Sequence, residues 1–285
     1  MINLRVVYLS DVHTEINGLG RLNCKFADGD VLVLAGDILN AAMLDSRRSD
    51  PKARGTQKAL EFLKKRIFPK YKKIFKVMGN HTHYDGCYPL TEQQVRMALK
   101  DVPNLHLLEN QSVYFEGVLF LGCTFWTDYS HNNPLAMMAA RVGMNDYRWI
   151  LEKPYESLSP EDKLKWNTHK PLLTPEFIYK VHLESVDYLK KTLELHKDLP
   201  TVLITHHPLS FNSIHASQMN SLSPAFASAR EDIILDNPQI KYAIHGHTHF
   251  SGTYKIGDTY VVSNQCGYYT EHCYPMFKPN ACFDI

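Results

Sequence analysis

Five times along this chain a short apolar run stops at a cluster of aspartate, asparagine or histidine. Val6-Val-Tyr-Leu9 leads into Ser10-Asp-Val-His13, Val31–Ala35 into Gly36-Asp37, and Ile74–Met78 into Gly79-Asn-His81. Further on, Val202-Leu-Ile204 leads into Thr205-His-His-Pro208, and Tyr242-Ala-Ile244 into His245-Gly-His-Thr-His249. Apolar runs bounded by turn residues are the pattern of buried strands. In open α/β sheets, ligands bind just beyond the C-terminal ends of such strands. Five placements of a carboxylate, amide or imidazole there are too many for coincidence. Histidines 13, 81, 206, 207, 247 and 249 all fall in these loops, six of the fifteen in the chain.

Between the strands the spacing turns helical. Leu60, Leu63 and Ile67 predict a helix over 56–68, and Thr91 caps an expected helix through Leu99. Residues 175 to about 197 read as the longest helix, opened by Pro175. A further helix is expected over 224–235 with Ser223 as its cap. A second group of strands, expected to be largely antiparallel, comes from Ser112–Phe115, Val118–Leu121 and Gly252–Val262, the last folded at Gly257-Asp258. Two sheets covered outside by helices is the natural assembly. With 285 residues, 44% of them hydrophobic, and no linker or repeat, the expectation is a single domain over 1–285.

Composition narrows the class of function. A formal charge of +1 argues against binding nucleic acid over the whole surface. The six cysteines are scattered without a C-x-x-C pair, which fits a reducing compartment. No stretch has the length of a secretory core or a membrane span, so a soluble, cytoplasmic protein without a membrane partner is expected. Gly18-Leu-Gly20 starts like a dinucleotide loop, but Asn23 stands where the third glycine belongs.

Aspartate, histidine and asparagine without cysteine make an oxygen and nitrogen donor set, suited to Mn, Fe or Zn. Asp11, His13, Asp37, Asn80, His206, His247 and His249 are too many donors for one ion and fit two. One carboxylate then bridges, and Asp37, central among the motifs, is the candidate. Two divalent ions ~3.5–4 Å apart clamp phosphate oxygens and bring the pKa of water toward ~7, so hydroxide is available to attack phosphorus. The departing alkoxide needs a proton, and His81, beside Asn80, is placed to give it.

In this order Asp11-Val-His13, Gly36-Asp37, Gly79-Asn-His81, His206-His207 and Gly246-His-Thr-His249 resemble the signature of the calcineurin-like metallophosphoesterases. The resemblance implies a four-layer α/β/β/α sandwich, two mixed sheets flanked by helices, around a dinuclear centre. It implies Asp11, His13, Asp37 and His249 on one ion, and Asp37, Asn80, His206 and His247 on the other. His81 falls on the family's leaving-group histidine. His245 is expected one step back, as a hydrogen-bonded core residue, and His207 as a residue behind the ligands or facing substrate. Gly122–Asp128 and Met144–Trp149 resemble a bacterial and phage subgroup of these phosphoesterases.

Two features depart from the family pattern. Thr82-His83-Tyr84 follows His81 where relatives often have an acidic residue, leaving Asp85 or a backbone carbonyl as its expected partner. Gln265-Cys266 stands where relatives often place an arginine, so Arg148 becomes the candidate guanidinium on phosphate, with Tyr147 shaping the pocket. The expected activity is hydrolysis of phosphate mono- or diesters. The alternative is a nuclease on the same centre, with the cations between Arg47 and Lys76 as its track. A scaffold without chemistry would have lost ligands, and here all seven remain.

Overall fold

The structure, a computed structural model, describes residues 3–20, 22–271 and 276–285. Cys273 lies outside them. The strands β1 (Arg5–Leu9), β2 (Val31–Ala35), β3 (Lys73–Val77) and β4 (Leu105–Leu107) lie side by side and parallel. A second sheet holds β5 (Gln111–Phe115), β6 (Val118–Cys123), β7 (Thr201–Thr205), β8 (Ile240–His245), β9 (Gly252–Ile256) and β10 (Thr259–Ser263), in the order β5-β6-β7-β8-β10-β9. The final strand, β11 (Cys282–Asp284), returns to the first sheet antiparallel to β1.

Alternation along the strands explains the layering. Val31, Val33, Phe75, Val77, Phe120 and Ile204 point inward and form the core between the sheets. There Phe75 and Phe120 stack with ring centres 4.2 Å apart. Each such buried ring contributes roughly 1.5–3 kcal/mol. Leu32, Leu34 and Ile74 point outward onto Leu63, Ile67, Val95 and Leu99. Leu121, Leu203 and Ala243 do the same on the other sheet, against Val186, Leu189 and Leu193. The result is a four-layer α/β/β/α sandwich.

The second sheet is mixed, as expected: β6, β7, β8 and β10 pair in parallel, and the two edge hairpins, β5–β6 and β9–β10, are antiparallel. Three local expectations are corrected. After a short helix at Thr14–Asn17, the helix expected over 56–68 begins at Pro51, where Asp50 accepts a hydrogen bond from Ala53 N at 3.1 Å, and it widens into a π-helical turn over Leu63–Ile67. The helix Tyr88–Ala98 starts ahead of Thr91, because Pro89 pre-sets its first turn and Tyr88 N donates to Leu151 O at 2.8 Å. No continuous helix covers 224–235. Ser228 N is drawn to Pro208 O and Arg230 N to Leu209 O, which leaves short turns at Ser223–Ala225 and Asp232–Leu235. The helix Pro175–Leu195 is present, capped by Thr174.

An aromatic and aliphatic cluster including Trp126, Tyr129, Met137, Tyr147 and Ile178 closes one end of the sandwich. No helix among the described residues is long and apolar enough to cross a membrane.

Candidate metal centre

Five of the seven candidate donors leave their strands through strained turns. Asp11, His13, Asp37, His247 and His249 all have positive φ, between 49° and 73°. A non-glycine residue pays roughly 1–2 kcal/mol for that conformation. Such strain persists where surrounding contacts over-determine it, commonly at functional sites. Here Asp11 N donates to Gly36 O at 3.0 Å, His13 N to Asp37 O at 2.9 Å, and His247 N to the Asp11 carboxylate at 3.0 Å. The loops therefore fix one another. Two motif glycines exist for close approach: a Cβ on Gly36 would lie 2.1 Å from His206 Nδ1, and one on Gly79 2.2 Å from Asp37 Oδ1.

The turns bring the seven donors together in two groups. Asp11, His13 and His249 form one, and Asp37, His206 and His247 the other, with ligand atoms in each within 4.8 Å of one another. His13, Asp37 and His81 form a third overlapping set, so Asp37 lies between the two groups. Asn80 Oδ1 is 3.2 Å from His206 Nε2, completing the second.

The hydrogen bonds decide what the groups fit. His13 Nδ1 donates to Glu15 Oε1 at 3.2 Å and His249 Nδ1 to Glu271 Oε2 at 2.5 Å. That leaves the two Nε2 atoms facing each other at 2.9 Å, with Asp11 Oδ1 3.9 and 3.5 Å away. His206 Nδ1 donates to Ala35 O at 3.0 Å, so its Nε2 faces Asp37 Oδ2 and Asn80 Oδ1 at 3.2 Å. His247 Nε2 is buried with no hydrogen-bond partner. Ring nitrogens and acceptor oxygens converging at both places make a cradle for positive charge, and carboxylates or carbonyls behind metal-ligand histidines fix their tautomers. The carboxylates draw positive charge, a proton or a metal ion, into these places. Burial alone would push the His249 imidazole down, but Asp11 and Glu271 carry it up to about 10. Burial would raise Asp37, yet His206 and His81 hold it well below the usual carboxylate range.

Glu15 was not legible as a site residue. Its Oε1 lies 3.2 Å from His13 Nδ1 and 3.1 Å from His81 Nδ1, tying a ligand histidine to the expected leaving-group histidine. Burial would raise this carboxyl, but those two hydrogen bonds bring it to about 2. The expected partner Asp85 is corrected: it lines a separate surface depression with Ala41 and Arg48. The far nitrogen of His81, Nε2, meets the Tyr268 hydroxyl at 3.1 Å, and its backbone N–H donates to Asp37 Oδ1 at 3.0 Å. Tyr268 and Glu271 also escaped the sequence reading, since no motif surrounds them.

A cleft of about 350 Å³ opens over Asp37, Asn80, His81, His247 and His249. Tyr147 and Arg148 do not line it, which corrects their expected role. Tyr147 is buried with its hydroxyl on that of Tyr129, and Arg148 is exposed, folded back onto Val142 O. The short helix Asp146–Trp149 turns both away, while the preceding Gly143, Met144 and Asn145 reach the cleft. His207 sits behind the donors, its ring 3.9 Å from that of His247 and 5.1 Å from that of Trp126. His245 is a buried core residue, 2.9 Å from Ser213 Oγ. The basic segment stays outside the cleft lining, and much of it is paired: Arg47 with Asp45, Arg48 with Asp50, Lys64 with Asp101, Lys65 with Glu61, Lys72 with Asp30.

A two-sheet sandwich with aspartate, asparagine and histidine donors at its strand ends defines a metal-dependent hydrolase of phosphoester bonds. Residues 4–251 match the calcineurin-like phosphoesterase family, and the chain belongs to it. An uncharacterised protein of Acanthamoeba polyphaga mimivirus is 27% identical over 303 residues, covering 98% of this chain and 95% of that one. Among solved structures, the phosphopantetheinyl hydrolase from Mycobacterium tuberculosis superposes with a TM-score of 0.63 at 16% identity, covering 98% of this chain and 95% of that one. A dimetal phosphatase from Danio rerio has a TM-score of 0.50 at 12% identity, covering 92% and 87%. These two likenesses are likenesses of fold.

Proposed function

We propose that the chain, as a single domain, hydrolyses phosphate mono- or diesters at a dinuclear centre. Asp11, His13, Asp37 and His249 would hold one divalent ion, and Asp37, Asn80, His206 and His247 the other. One observation carries this reading: the Nε2 atoms of His13 and His249 face each other at 2.9 Å, each with Nδ1 committed to a carboxylate. Bound Mn, Fe or Zn supplies an acidified water as nucleophile and positive charge for the phosphoryl oxygens.

The chain's own residues do the rest. His81, at the cleft wall, gives its Nε2 proton to the departing alkoxide as the ester P–O bond breaks. Glu15 accepts from His81 Nδ1, and against burial, with Asp37 close by, the two carboxylates favour the imidazolium, whose second proton sits on Nε2 facing the cleft. Asp37 accepts from His81 N–H, so the acid and the bridging position move as one unit. The nuclease alternative lacks comparable support, since the cations at positions 47, 48, 64, 65 and 72 are paired away from the cleft.

The test is turnover of nitrophenyl phosphate and bis-nitrophenyl phosphate by protein reconstituted with Mn, before and after chelation. Metal-dependent turnover of either ester is expected, and the ratio separates monoesterase from diesterase. Turnover that survives complete metal removal would refute the proposal.

A further inference from the structure

The cleft wall opposite the donors has a chemistry of its own. Asn145 and Gln218 present amides, Asn220 has its own amide turned onto Gln218 O and Leu222 N, and Ile214 and Phe226 present apolar surface. Among the described residues, no lysine or arginine lines this cleft. The acidic side chain on its rim, Glu271, accepts from His249 Nδ1 and from Tyr268 N.

We infer that the alcohol released by this enzyme carries no negative charge: the substrate is a small phosphate ester with a neutral, hydrogen-bonding leaving group. This rests on the phosphoesterase reading above. Divalent ions held by Asp11 and Asp37 would supply positive charge for the reacting phosphate, on the donor side of the cleft. A second phosphate or a carboxylate in the leaving group would meet amides that cannot neutralise it and the Glu271 carboxylate that repels it. Like charges brought together in a desolvated site are a strong means of rejecting wrong partners. A neutral alcohol instead meets amide donors and acceptors along with Ile214 and Phe226, the mixture typical of small-molecule pockets. At about 350 Å³ the cleft has the size of such a pocket. During hydrolysis the ester P–O bond breaks, water supplies the new P–O bond, and the alkoxide leaves protonated as the neutral alcohol.

The test uses two aryl phosphates matched except in charge, 4-(hydroxymethyl)phenyl phosphate and 4-carboxyphenyl phosphate, with the Mn-loaded enzyme. The corresponding benzylphosphonates, which cannot be hydrolysed, give binding by calorimetry. The neutral member should have a kcat/KM, and a phosphonate affinity, at least ~10-fold higher than the carboxylate. Gln218→Lys, at an exposed position on the rim, should narrow both ratios at least ~3-fold by supplying the missing cation. Ratios near one in the unaltered enzyme would overturn the inference while nitrophenyl phosphate turnover still upheld the phosphoesterase reading. Ratios unmoved by Gln218→Lys would show that this wall does not discriminate. Loss of turnover on every ester would overturn the phosphoesterase reading and this inference with it.

Discussion

On one side of the cleft the side chains come off the C-terminal ends of β1, β2, β3, β7 and β8, most of them buried, with His81 and His249 partly exposed, and held by neighbouring loops. On the other side Asn145, Ile214, Gln218 and Phe226 come from connecting segments with no strand beneath them. The first wall is over-determined: moving Asp11 disturbs His247 N, and moving Asp37 disturbs both His13 N and His81 N. The second has exposed members, Gln218 and Asn220 among them. On the proposed reading, the rigid wall would hold the ions. Selection among leaving groups belongs to the adaptable one, as is common for loops carried on a fixed scaffold.

The comparison makes graded predictions. Asp37→Asn should abolish turnover and lower the metal count, because a shared anion stabilises both cations at once; elemental analysis and nitrophenyl phosphate assays check it. Turnover near normal with two ions still bound would break the claim that this wall is one unit. His81→Ala should slow turnover ~10²–10⁴-fold while sparing metal content. The loss should shrink for leaving groups that need no proton, and an equal loss across a leaving-group series would count against its acid role.

Glu15→Gln should cost less, ~10–100-fold, the usual penalty for altering a partner behind a metal-ligand histidine. Since Glu15 touches both His13 and His81, the variant should weaken metal affinity and steepen leaving-group dependence together. A change in only one would mean that the two histidines are not coupled through it.

The smallest effect concerns stability. Glu109, accepting from Thr124 N and Oγ1, is pushed up to about 7 by burial, from an ordinary value of 4.5. A carboxyl raised in the folded state binds its proton more tightly there, so its contribution to stability is present below pH 4.5 and lost as pH rises through about 7. Glu109→Gln should flatten that fall in melting temperature between pH 4.5 and 7.5. Parallel melting curves for the two proteins would contradict it.

The rigid wall was legible in the sequence and the adaptable wall was not, for physical reasons. Buried strands impose apolar runs, and polar residues directly after them stand out, so the seven candidate donors that the fold brings together, and His81 beside them, could be picked out. Glu15 could not, because a glutamate in a first helical turn looks like ordinary favourable charge placement. The segment around Ser223 and Phe226 looked helical by periodicity, but tertiary hydrogen bonds at Ser228 and Arg230 open it into turns. Arg148 was misplaced because its type suits phosphate, while its direction is set by a single helical turn. The parallel pairing of β6 with β7 joins segments distant in the chain, and that of β8 with β10 passes over the intervening β9, neither of which local spacing records.

The most direct test of the central claim is the number of metal ions per chain after reconstitution with excess Mn and removal of loosely bound ion. Two per chain, falling in Asp37→Asn, is the predicted result. One ion or none, with fully folded protein, would contradict it.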